Sequence, residues 1–282
     1  MAAKQRSSRK SPGITKQTLK ADSQPNSERE TIQLGPRIDW RRIFTRLLMI
    51  IGIMIVVYFS KANKMVPFAT QKEEISKRSV EIGCSKDYAE ELKHFPGCTP
   101  RKCGRVVLDT LVSPSEVAAL LNIAERGLSM GGSTGGASIL DLHSGALSHG
   151  NAFVNIYKLE EAKTLFTIQD FKIYRITPAP PQTIHDEYWH PHVDKETYES
   201  FHYTSLLYLT DYRYHFDGGR FIFIDKDSNK TVEPRAGRVS AFTSGSENLH
   251  YVERVTNGTR YAITVSFTCD QRHAINDPML RK

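Results

Sequence analysis

Cysteine is scarce in this sequence, and none occurs before residue 84. The four cysteines are Cys84, Cys98, Cys103 and Cys269. The spacing between Cys98 and Cys103 is wider than in zinc-binding pairs, and no second pair follows, so a structural zinc site is disfavoured. An even number of cysteines is typical of disulfides in an oxidising compartment, and four cysteines allow three pairings. The sequence therefore predicts disulfides without selecting a pairing.

The chain also lacks a basic stripe interleaved with aromatic residues, although its formal net charge is +7. Most of this excess lies in the first 46 residues, and the rest of the chain is close to neutral. We therefore expect no nucleic-acid partner. Because residues 1–42 are rich in Lys, Arg, Ser and Gln, they are predicted to form a disordered basic tail.

The chain has one long, strongly apolar run without a charged residue, Leu47–Ser60. A bilayer-spanning helix needs ~20 mostly apolar residues, with ~17 as the lower limit. Ile43 and Phe44 extend the run toward this length if the Arg46 guanidinium reaches the lipid headgroups. A cleaved signal peptide does not fit the long charged tail ahead of the run. A second alternative is a buried helix of a globular core. The apolar residues run all round the helix without a polar stripe to face water, which weighs against a surface helix. We therefore predict a single transmembrane signal anchor at residues 43–60.

The charges that flank the run predict its orientation. Four arginines precede it and two lysines follow it: Arg37, Arg41, Arg42, Arg46, Lys61 and Lys64. By the positive-inside rule, the chain is predicted to be a single-pass type II membrane protein. Its tail would be cytosolic, residues 61–90 would form a stalk, and the catalytic part would be lumenal (endoplasmic reticulum or Golgi) or extracellular. Glycosylation sequons at Asn229 and Asn257 agree with a glycoprotein.

Residues 91–170 are predicted to form an N-terminal helical and cysteine-containing region. Ser113 followed by Glu116 makes a capping box, and the apolar spacing after it predicts an amphipathic helix that ends near Gly127. The glycine-rich residues 131–136 lack the Lys and Ser/Thr pair of a phosphate-binding P-loop, so a flexible loop is predicted there.

From about Phe171 the sequence changes to short segments rich in β-branched and aromatic residues, separated by turn signals. The predicted strands are Tyr203–Thr210, Arg220–Ile224, Arg238–Thr243 and Tyr261–Cys269. Many short strands without intervening helical patterns indicate a sandwich or barrel. The fold class is therefore predicted to be mainly β, with a small helical region before a domain over residues 171–282.

His192 and Asp194 form a His-x-Asp pair, and residues two apart on a strand face the same side. With a third ligand from a distant strand, they would complete the two-histidine, one-carboxylate triad typical of non-haem iron(II) oxygenases. His185 and His190 lie nearby as competing candidates. The other histidines have no companion at ligand spacing and are predicted to be surface or structural residues: His94, His143, His149, His202, His215 and His273.

His250 follows a predicted strand and is the candidate third ligand. Arg260 opens the last predicted strand, on a face that also carries Ala262, Thr264 and Ser266. A small, polar face is suited to a ligand cavity, and a guanidinium there can bind a carboxylate through two parallel hydrogen bonds. A surface ion pair is the alternative interpretation of Arg260.

These residues together resemble the prolyl-4-hydroxylase-like group of iron(II) and 2-oxoglutarate dioxygenases. The resemblance covers residues 184–269. Its motifs are His192-x-Asp194, His250 and Arg260, with the flanking segments Ser205–Asp211, Gly218–Phe221, Val232–Val239 and Thr259–Val265. One departure from the family is the segment Phe153–Tyr174, which is shorter than the supporting helices that usually precede the first core strand.

The resemblance implies a double-stranded β-helix, or jelly-roll, core. It implies that His192, Asp194 and His250 bind Fe(II), and that Arg260 and Tyr208 hold the distal carboxylate of 2-oxoglutarate. The implied reaction uses dioxygen to hydroxylate a protein or peptide side chain while 2-oxoglutarate is decarboxylated to succinate. L-ascorbate is implied as a further cofactor.

Three alternatives remain at this point. The first is a catalytically inactive, membrane-anchored β-barrel binding module, and the second is a structural or lectin-like domain with incidental histidines. The third is a metal-dependent barrel enzyme that does not use 2-oxoglutarate. Fold alone does not separate these alternatives from a 2-oxoglutarate-dependent enzyme. The complete ligand set favours an enzyme over a binding module or a structural domain. Arg260 favours an enzyme that uses 2-oxoglutarate over one that does not.

Overall fold

The computed structural model describes residues 39–62, 64–142, 144–158, 172–183 and 188–274. Most of the predicted disordered tail, His143, His185 and much of the shortened segment Phe153–Tyr174 lie outside the described residues. The chain divides into two compact units, Met1–Ile51 and Gly52–Lys282, and every described strand belongs to the second. The predicted limits of the five sequence regions stay predictions.

The described residues form three α-helices: α1 (Trp40–Ala62), α2 (Tyr88–His94) and α3 (Pro114–Ser129). They also form fifteen strands: β1 (Met65–Ala69), β2 (Arg78–Ile82), β3 (Cys103–Leu108), β4 (Ala137–Asp141), β5 (Ala146–His149), β6 (Ala152–Asn155), β7 (Lys172–Ile176), β8 (Tyr203–Tyr208), β9 (Phe216–Gly218), β10 (Phe221–Phe223), β11 (Asn229–Val232), β12 (Val239–Thr243), β13 (His250–Val252), β14 (Val255–Gly258) and β15 (Arg260–Phe267).

The strands form two main sheets and a short ribbon. The large sheet has the order β2-β3-β12-β8-β15-β7-β4-β5-β6, and the small sheet has the order β1-β11-β10-β13. Strands β9 and β14 pair with each other. Neighbours in both sheets are antiparallel except β1 and β11, which are parallel. The prediction of a mainly-β, jelly-roll core is therefore confirmed.

The main core lies between the two sheets. Apolar side chains from the small sheet pack against apolar side chains from the large sheet: Ala69, Phe221, Phe223 and Val232 against Val107, Leu206, Tyr208, Phe242 and Ala262. Because side chains alternate along each strand, the neighbouring residues of the large sheet face the other way. On that side Ile263, Leu140 and Ile173 pack against Ala124 and Leu128 of α3. Each face of the large sheet is thus covered.

Helix α3 follows the predicted capping box. The side chain of Ser113 accepts a hydrogen bond from the backbone N–H of Glu116, and the Glu116 carboxylate accepts one from the backbone N–H of Ser113. These two bonds satisfy donors that a helix start otherwise leaves unpaired. The predicted amphipathic helix is therefore confirmed, and it ends two residues beyond Gly127.

The prediction of a transmembrane signal anchor at residues 43–60 is wrong. Residues 43–60 do lie within α1, but no helix among the described residues is both long and apolar enough to cross a bilayer. Arg41, Arg42 and Arg46 occupy the first two turns of α1. The uncharged residues 47–60 that follow rise only about 21 Å, whereas the hydrocarbon core is ~30 Å thick. The predicted localisation depends on this anchor and is therefore also wrong: it was a single-pass type II membrane protein with a lumenal or extracellular catalytic domain.

The four cysteines form two disulfides, Cys84–Cys103 and Cys98–Cys269, which confirms the prediction of disulfides and selects the pairing. The first joins two residues 19 positions apart and the second joins residues 171 positions apart. Glycosylation of Asn229 and Asn257 stays a prediction. Asn229 begins β11 and Asn257 is exposed in β14, so both sequons lie in strands.

Candidate active site

Two of the predicted metal ligands are paired through their backbones. The N–H of His192 donates to the carbonyl of His250 at 2.9 Å, and the N–H of His250 donates to the carbonyl of His192 at 3.1 Å. Val193 is extended, with φ −118° and ψ 125°, so the side chains of His192 and Asp194 project to the same side. This reciprocal pair fixes the positions of residues that are far apart in the sequence.

The three side chains converge. His192 Nε2 lies 3.7 Å from Asp194 Oδ1, and His250 Nε2 lies 3.5 Å from the same oxygen. One nitrogen or oxygen atom from each of the three residues lies within 4.8 Å of the other two. Two neighbouring ligands on one metal are ~3 Å apart when each lies ~2.1 Å from it, so small side-chain movements would bring these atoms into coordination. The geometry therefore fits a two-histidine, one-carboxylate metal site.

Backbone carbonyls orient both imidazole rings. His250 Nδ1 lies 2.7 Å from the Asn248 carbonyl, and His192 Nδ1 lies 3.0 Å from the His190 carbonyl. A carbonyl oxygen only accepts, so each Nδ1 carries the proton and donates. Each Nε2 is then left with a lone pair directed toward Asp194, the arrangement that metal-binding histidines commonly adopt.

Charge in the site also suits a cation. Burial lowers the pKa of His192, and the neighbouring His250 lowers it further. Burial raises the pKa of Asp194, but the adjacent imidazole of His250 outweighs that effect, and the pKa of this carboxyl is lowered overall. Asp194 Oδ2 is buried and has no hydrogen-bond partner. Two imidazole nitrogens beside an unsatisfied carboxylate oxygen form a donor set for a divalent cation.

The two histidines differ in exposure. His250 is buried and packs against three phenylalanine rings, of which Phe221 is nearly parallel to the imidazole at 4.8 Å. Phe242 and Phe223 approach it edge-on at 5.1 and 6.3 Å. The side chain of His192 is 47 % exposed. The site is therefore closed by aromatic rings on one side and open to solvent at His192.

Arg260 and Tyr208 lie inside the jelly roll. Both are fully buried, and the Arg260 guanidinium carbon is 5.5 Å from the centre of the Tyr208 ring. Arg260 Nε and Nη2 and the Tyr208 hydroxyl have no hydrogen-bond partner. Burial lowers the pKa of Arg260 and raises that of Tyr208 to about 12, which reflects the cost of charge in this environment. A carboxylate ligand would satisfy the unpaired donors.

A glycine hairpin shapes the wall beside Arg260. Gly218 and Gly219 both have positive φ, +72° and +64°, which favours glycine. A Cβ on Gly218 would overlap with the carbonyl of Arg254, and a Cβ on Gly219 would lie 3.1 Å from Arg260 Cδ. The hairpin therefore needs both glycines to let these residues approach.

The competing candidate His190 does not join the site as a ligand, and His185 lies outside the described residues. Among the described residues, the cluster with metal-ligand geometry contains His192, Asp194 and His250 alone. His190 contributes its backbone carbonyl to the site and its ring packs near Trp189. His202 is fully buried, 3.5 Å from Glu91.

Two residues near the site were not predicted from the sequence. Tyr174 lies on β7. Burial raises the pKa of its hydroxyl, and the negative charge of Asp194 raises it further. Ser240 on β12 is buried, and its hydroxyl acts to lower the pKa of the neighbouring Tyr208. Alternation along each strand is the signal that could have indicated them, because Tyr174 lies opposite Ala262 in the pairing of β7 with β15.

Comparison with known proteins relates this site to a family. Residues 182–268 match the model of the 2OG-Fe(II) oxygenase superfamily. The chain is 51 % identical over 243 residues to the 2-oxoglutarate and iron-dependent oxygenase domain-containing protein 3 of Xenopus tropicalis, a match that covers 74 % of this chain and 76 % of that protein. Human prolyl 3-hydroxylase 1 is 44 % identical over 78 residues, which cover 27 % of this chain and 10 % of that protein.

One similar solved structure is a prolyl hydroxylase from Trichoplax adhaerens, in complex with a hypoxia inducible factor oxygen degradation domain peptide fragment. It aligns with a TM-score of 0.41 at 14 % identity, over 63 % of this chain and 87 % of that chain.

Proposed function

The chain belongs to the 2OG-Fe(II) oxygenase superfamily, and we propose that it hydroxylates a side chain of a protein or peptide at the centre formed by His192, Asp194 and His250. As a family member it is an iron(II)- and 2-oxoglutarate-dependent oxygenase, an oxidoreductase. The convergence of three metal-ligand side chains within 4.8 Å is the observation that carries the proposal.

His192 and His250 would bind iron through Nε2, and Asp194 through a carboxylate oxygen. The backbone carbonyls that accept from each Nδ1–H keep the rings in the required tautomer. Three protein ligands on one face leave adjacent positions open, and bound Fe(II) supplies there the activation of dioxygen that accompanies conversion of 2-oxoglutarate to succinate.

Arg260 and Tyr208 would hold the distal carboxylate of 2-oxoglutarate. The proposal is supported by their burial and by the unpaired Nε, Nη2 and hydroxyl groups that they direct into the protein interior. A planar guanidinium matches a carboxylate in geometry and charge, so it fixes the cosubstrate by its far end. Ascorbate is proposed as a further cofactor on family membership alone.

A protein or peptide substrate is supported by two observations. Prolyl 3-hydroxylase 1 is similar over a short segment, and its name describes hydroxylation of a prolyl residue. The His192 side of the centre is also open to solvent, where an extended chain can approach. An inactive binding module is disfavoured, because such a protein has no need to keep the three ligands together with a buried, unpaired arginine.

The proposal is tested by incubating the full-length protein with Fe(II), 2-oxoglutarate, ascorbate and dioxygen. We expect succinate to form, slowly without substrate, and fewer turnovers when ascorbate is omitted. His192→Ala and His250→Ala should lower succinate formation by about 100-fold or more, since each removes a proposed metal ligand. His149→Ala removes an exposed histidine outside the site and should leave it unchanged.

Two outcomes would contradict different parts of the proposal. If folded wild-type protein formed no succinate, the assignment of 2-oxoglutarate-dependent oxygenase activity to this site would be wrong. Succinate without a gain of one oxygen atom in any protein or peptide, measured by mass spectrometry on candidate substrates, would remove side-chain hydroxylation and leave the oxygenase assignment intact.

A further inference from the structure

Arg105 on β3 is a buried cation outside the segment that matches the family, and its side chain is 2 % exposed. Its Nη1 and Nη2 donate to the Asp225 carboxylate at 3.0 and 2.7 Å. Its Nε donates to Asn248 Oδ1 at 2.6 Å, and Nη2 also donates to the Glu247 carbonyl at 3.3 Å. One guanidinium thus connects β3 to two segments of the second half of the chain, the residues after β10 and the turn Ser246–Asn248.

The contact with Asn248 leads directly to the metal site. The Asn248 side chain also donates to the carbonyl and the hydroxyl of Thr243, at 2.8 and 3.0 Å, so every polar atom of its amide is engaged. Its backbone carbonyl accepts the Nδ1–H of His250 at 2.7 Å. Arg105 therefore fixes the short 3₁₀ turn Ser246–Asn248, which in turn fixes the tautomer and the direction of the His250 ring.

A second contact acts on the other side of the same histidine. The Arg105 guanidinium carbon lies 4.0 Å from the centre of the Phe223 ring. Phe223 packs edge-on against Phe221 and Phe242, and all three rings surround His250. The aromatic wall and the hydrogen-bonded turn that hold His250 thus meet at one arginine.

We propose that Arg105 is a positioning residue for the metal centre, which acts through Asn248 and Phe223 to hold His250 with Nε2 toward the metal. This inference rests on the proposed role of His250 as a ligand. It identifies a contribution from the N-terminal half of the chain to a site whose ligands all lie in the C-terminal half.

The test uses full-length protein with Arg105→Gln, which keeps hydrogen-bonding capacity and removes the charge and the fork geometry. Metal affinity is measured by titration with Mn(II) in the absence of 2-oxoglutarate. We expect the Mn(II) dissociation constant to rise by about 10- to 100-fold, the range for loss of groups that orient metal ligands. Arg105→Lys should recover part of the affinity, because its ammonium can still donate to Asn248.

The second readout needs no metal. In protein labelled with ¹⁵N at histidine, long-range proton–nitrogen spectra distinguish Nδ1–H from Nε2–H tautomers. Wild type should show His250 as the Nδ1–H tautomer, and Arg105→Gln should show a loss of that population. If Arg105→Gln does not fold, Asn248→Ala tests the same link from the other end, since it keeps the pair of Arg105 with Asp225.

Arg220→Gln is the matched control. Arg220 forms another bidentate pair, in which its Nε and Nη2 each donate to the Glu253 carboxylate at 2.7 Å. The substitution removes this pair, which does not involve Asn248. It should change neither Mn(II) affinity nor the His250 tautomer. The inference is overturned if folded Arg105→Gln binds Mn(II) within twofold of wild type with an unchanged tautomer, or if Arg220→Gln shows the same losses. Failure of wild type itself to bind Mn(II) would instead overturn the proposed function.

Discussion

His192 and Asp194 are close because two residues on an extended segment share a face, and this relation is readable from the sequence alone. The pairing of His192 with His250 was inferred from a predicted strand and from resemblance, and the structure brings both side chains to one point. Arg105 and Tyr174 were not predicted. Alternation along β7 could have indicated Tyr174, whereas the contacts of Arg105 join distant parts of the chain, and nothing in its local pattern indicates them.

Arg260 offers the sharpest test at the scale of one residue. Arg260→Met should weaken 2-oxoglutarate binding by about 100-fold or more, since the loss of one partner of a buried charge pair costs ~3–5 kcal/mol. Metal affinity should not change. Because the guanidinium is buried with unpaired donors, the free variant should unfold at the same temperature as wild type or higher. Calorimetric titration and thermal unfolding measure both.

The control for Arg260 is Arg220→Met, which removes a partly exposed arginine paired with Glu253. It should leave 2-oxoglutarate affinity unchanged. An Arg260→Met protein with wild-type affinity for 2-oxoglutarate would show that another group binds the cosubstrate carboxylate.

At the scale of elements, local patterns predicted what depends on neighbours in the sequence. The capping box predicted the start of α3, and runs of β-branched and aromatic residues predicted β8, β10, β12 and β15. The strands between residues 65 and 155 were missed. These strands are short, and β1 contains Pro67. The partners of β1 and β3 lie far along the chain, in β11 and β12. Tertiary pairing, more than local propensity, determines such strands.

Helix α1 shows the opposite failure. Its apolar run predicted a helix, which is present, and a membrane anchor, which is not supported. The three arginines in its first two turns shorten the apolar length to less than a bilayer requires.

The two disulfides close loops of very different length, so we expect them to stabilise the fold by different amounts. In the chain-entropy account, a cross-link between residues 171 apart contributes about 5 kcal/mol and one between residues 19 apart about 3 kcal/mol. Paired Cys98→Ser and Cys269→Ser should therefore destabilise the protein more than paired Cys84→Ser and Cys103→Ser. Free energies of unfolding from denaturant titration measure the difference, and the reverse order would contradict this account.

At the scale of the whole molecule, the order of the strands could not be read from the sequence. The ion pair between Arg238 and Asp109 joins the N-terminal strands to strands of the C-terminal half of the chain. Both side chains are buried, and the guanidinium binds the carboxylate through Nε and Nη2 at 2.7 and 2.9 Å. Arg238 also donates to the carbonyls of Thr70, Glu233 and Glu73, and its own carbonyl accepts from the N–H of Tyr208. This pair links the N-terminal strands to the strand that carries the proposed cosubstrate site.

The pair predicts an acid-dependent stability. Burial raises the pKa of Asp109, but hydrogen bonds from Arg238 and Ile75 outweigh it, so the pKa in the folded state lies below its usual value. The stabilisation is therefore complete above the unfolded pKa of ~3.9 and is lost as pH falls through the lower folded pKa. Asp109→Asn should cost about 3 kcal/mol at pH 7, and the difference from wild type should shrink below about pH 4.

Unfolding free energies measured from pH 3 to pH 7 test this prediction. Glu90→Gln is the control, because it removes an exposed pair with Lys93 and should cost less than about 1 kcal/mol. A difference between wild type and Asp109→Asn that stayed constant with pH would contradict the assigned role of the carboxylate.

The central claim is that His192, Asp194 and His250 form an iron site that accepts 2-oxoglutarate. The most direct measurement is the visible absorption of full-length protein loaded with Fe(II) without oxygen, before and after addition of 2-oxoglutarate. We predict a charge-transfer band that appears only with 2-oxoglutarate, saturates at about one equivalent of iron per chain, and is absent in Asp194→Ala. Folded wild-type protein without this band, or a band that persists in Asp194→Ala, would contradict the claim.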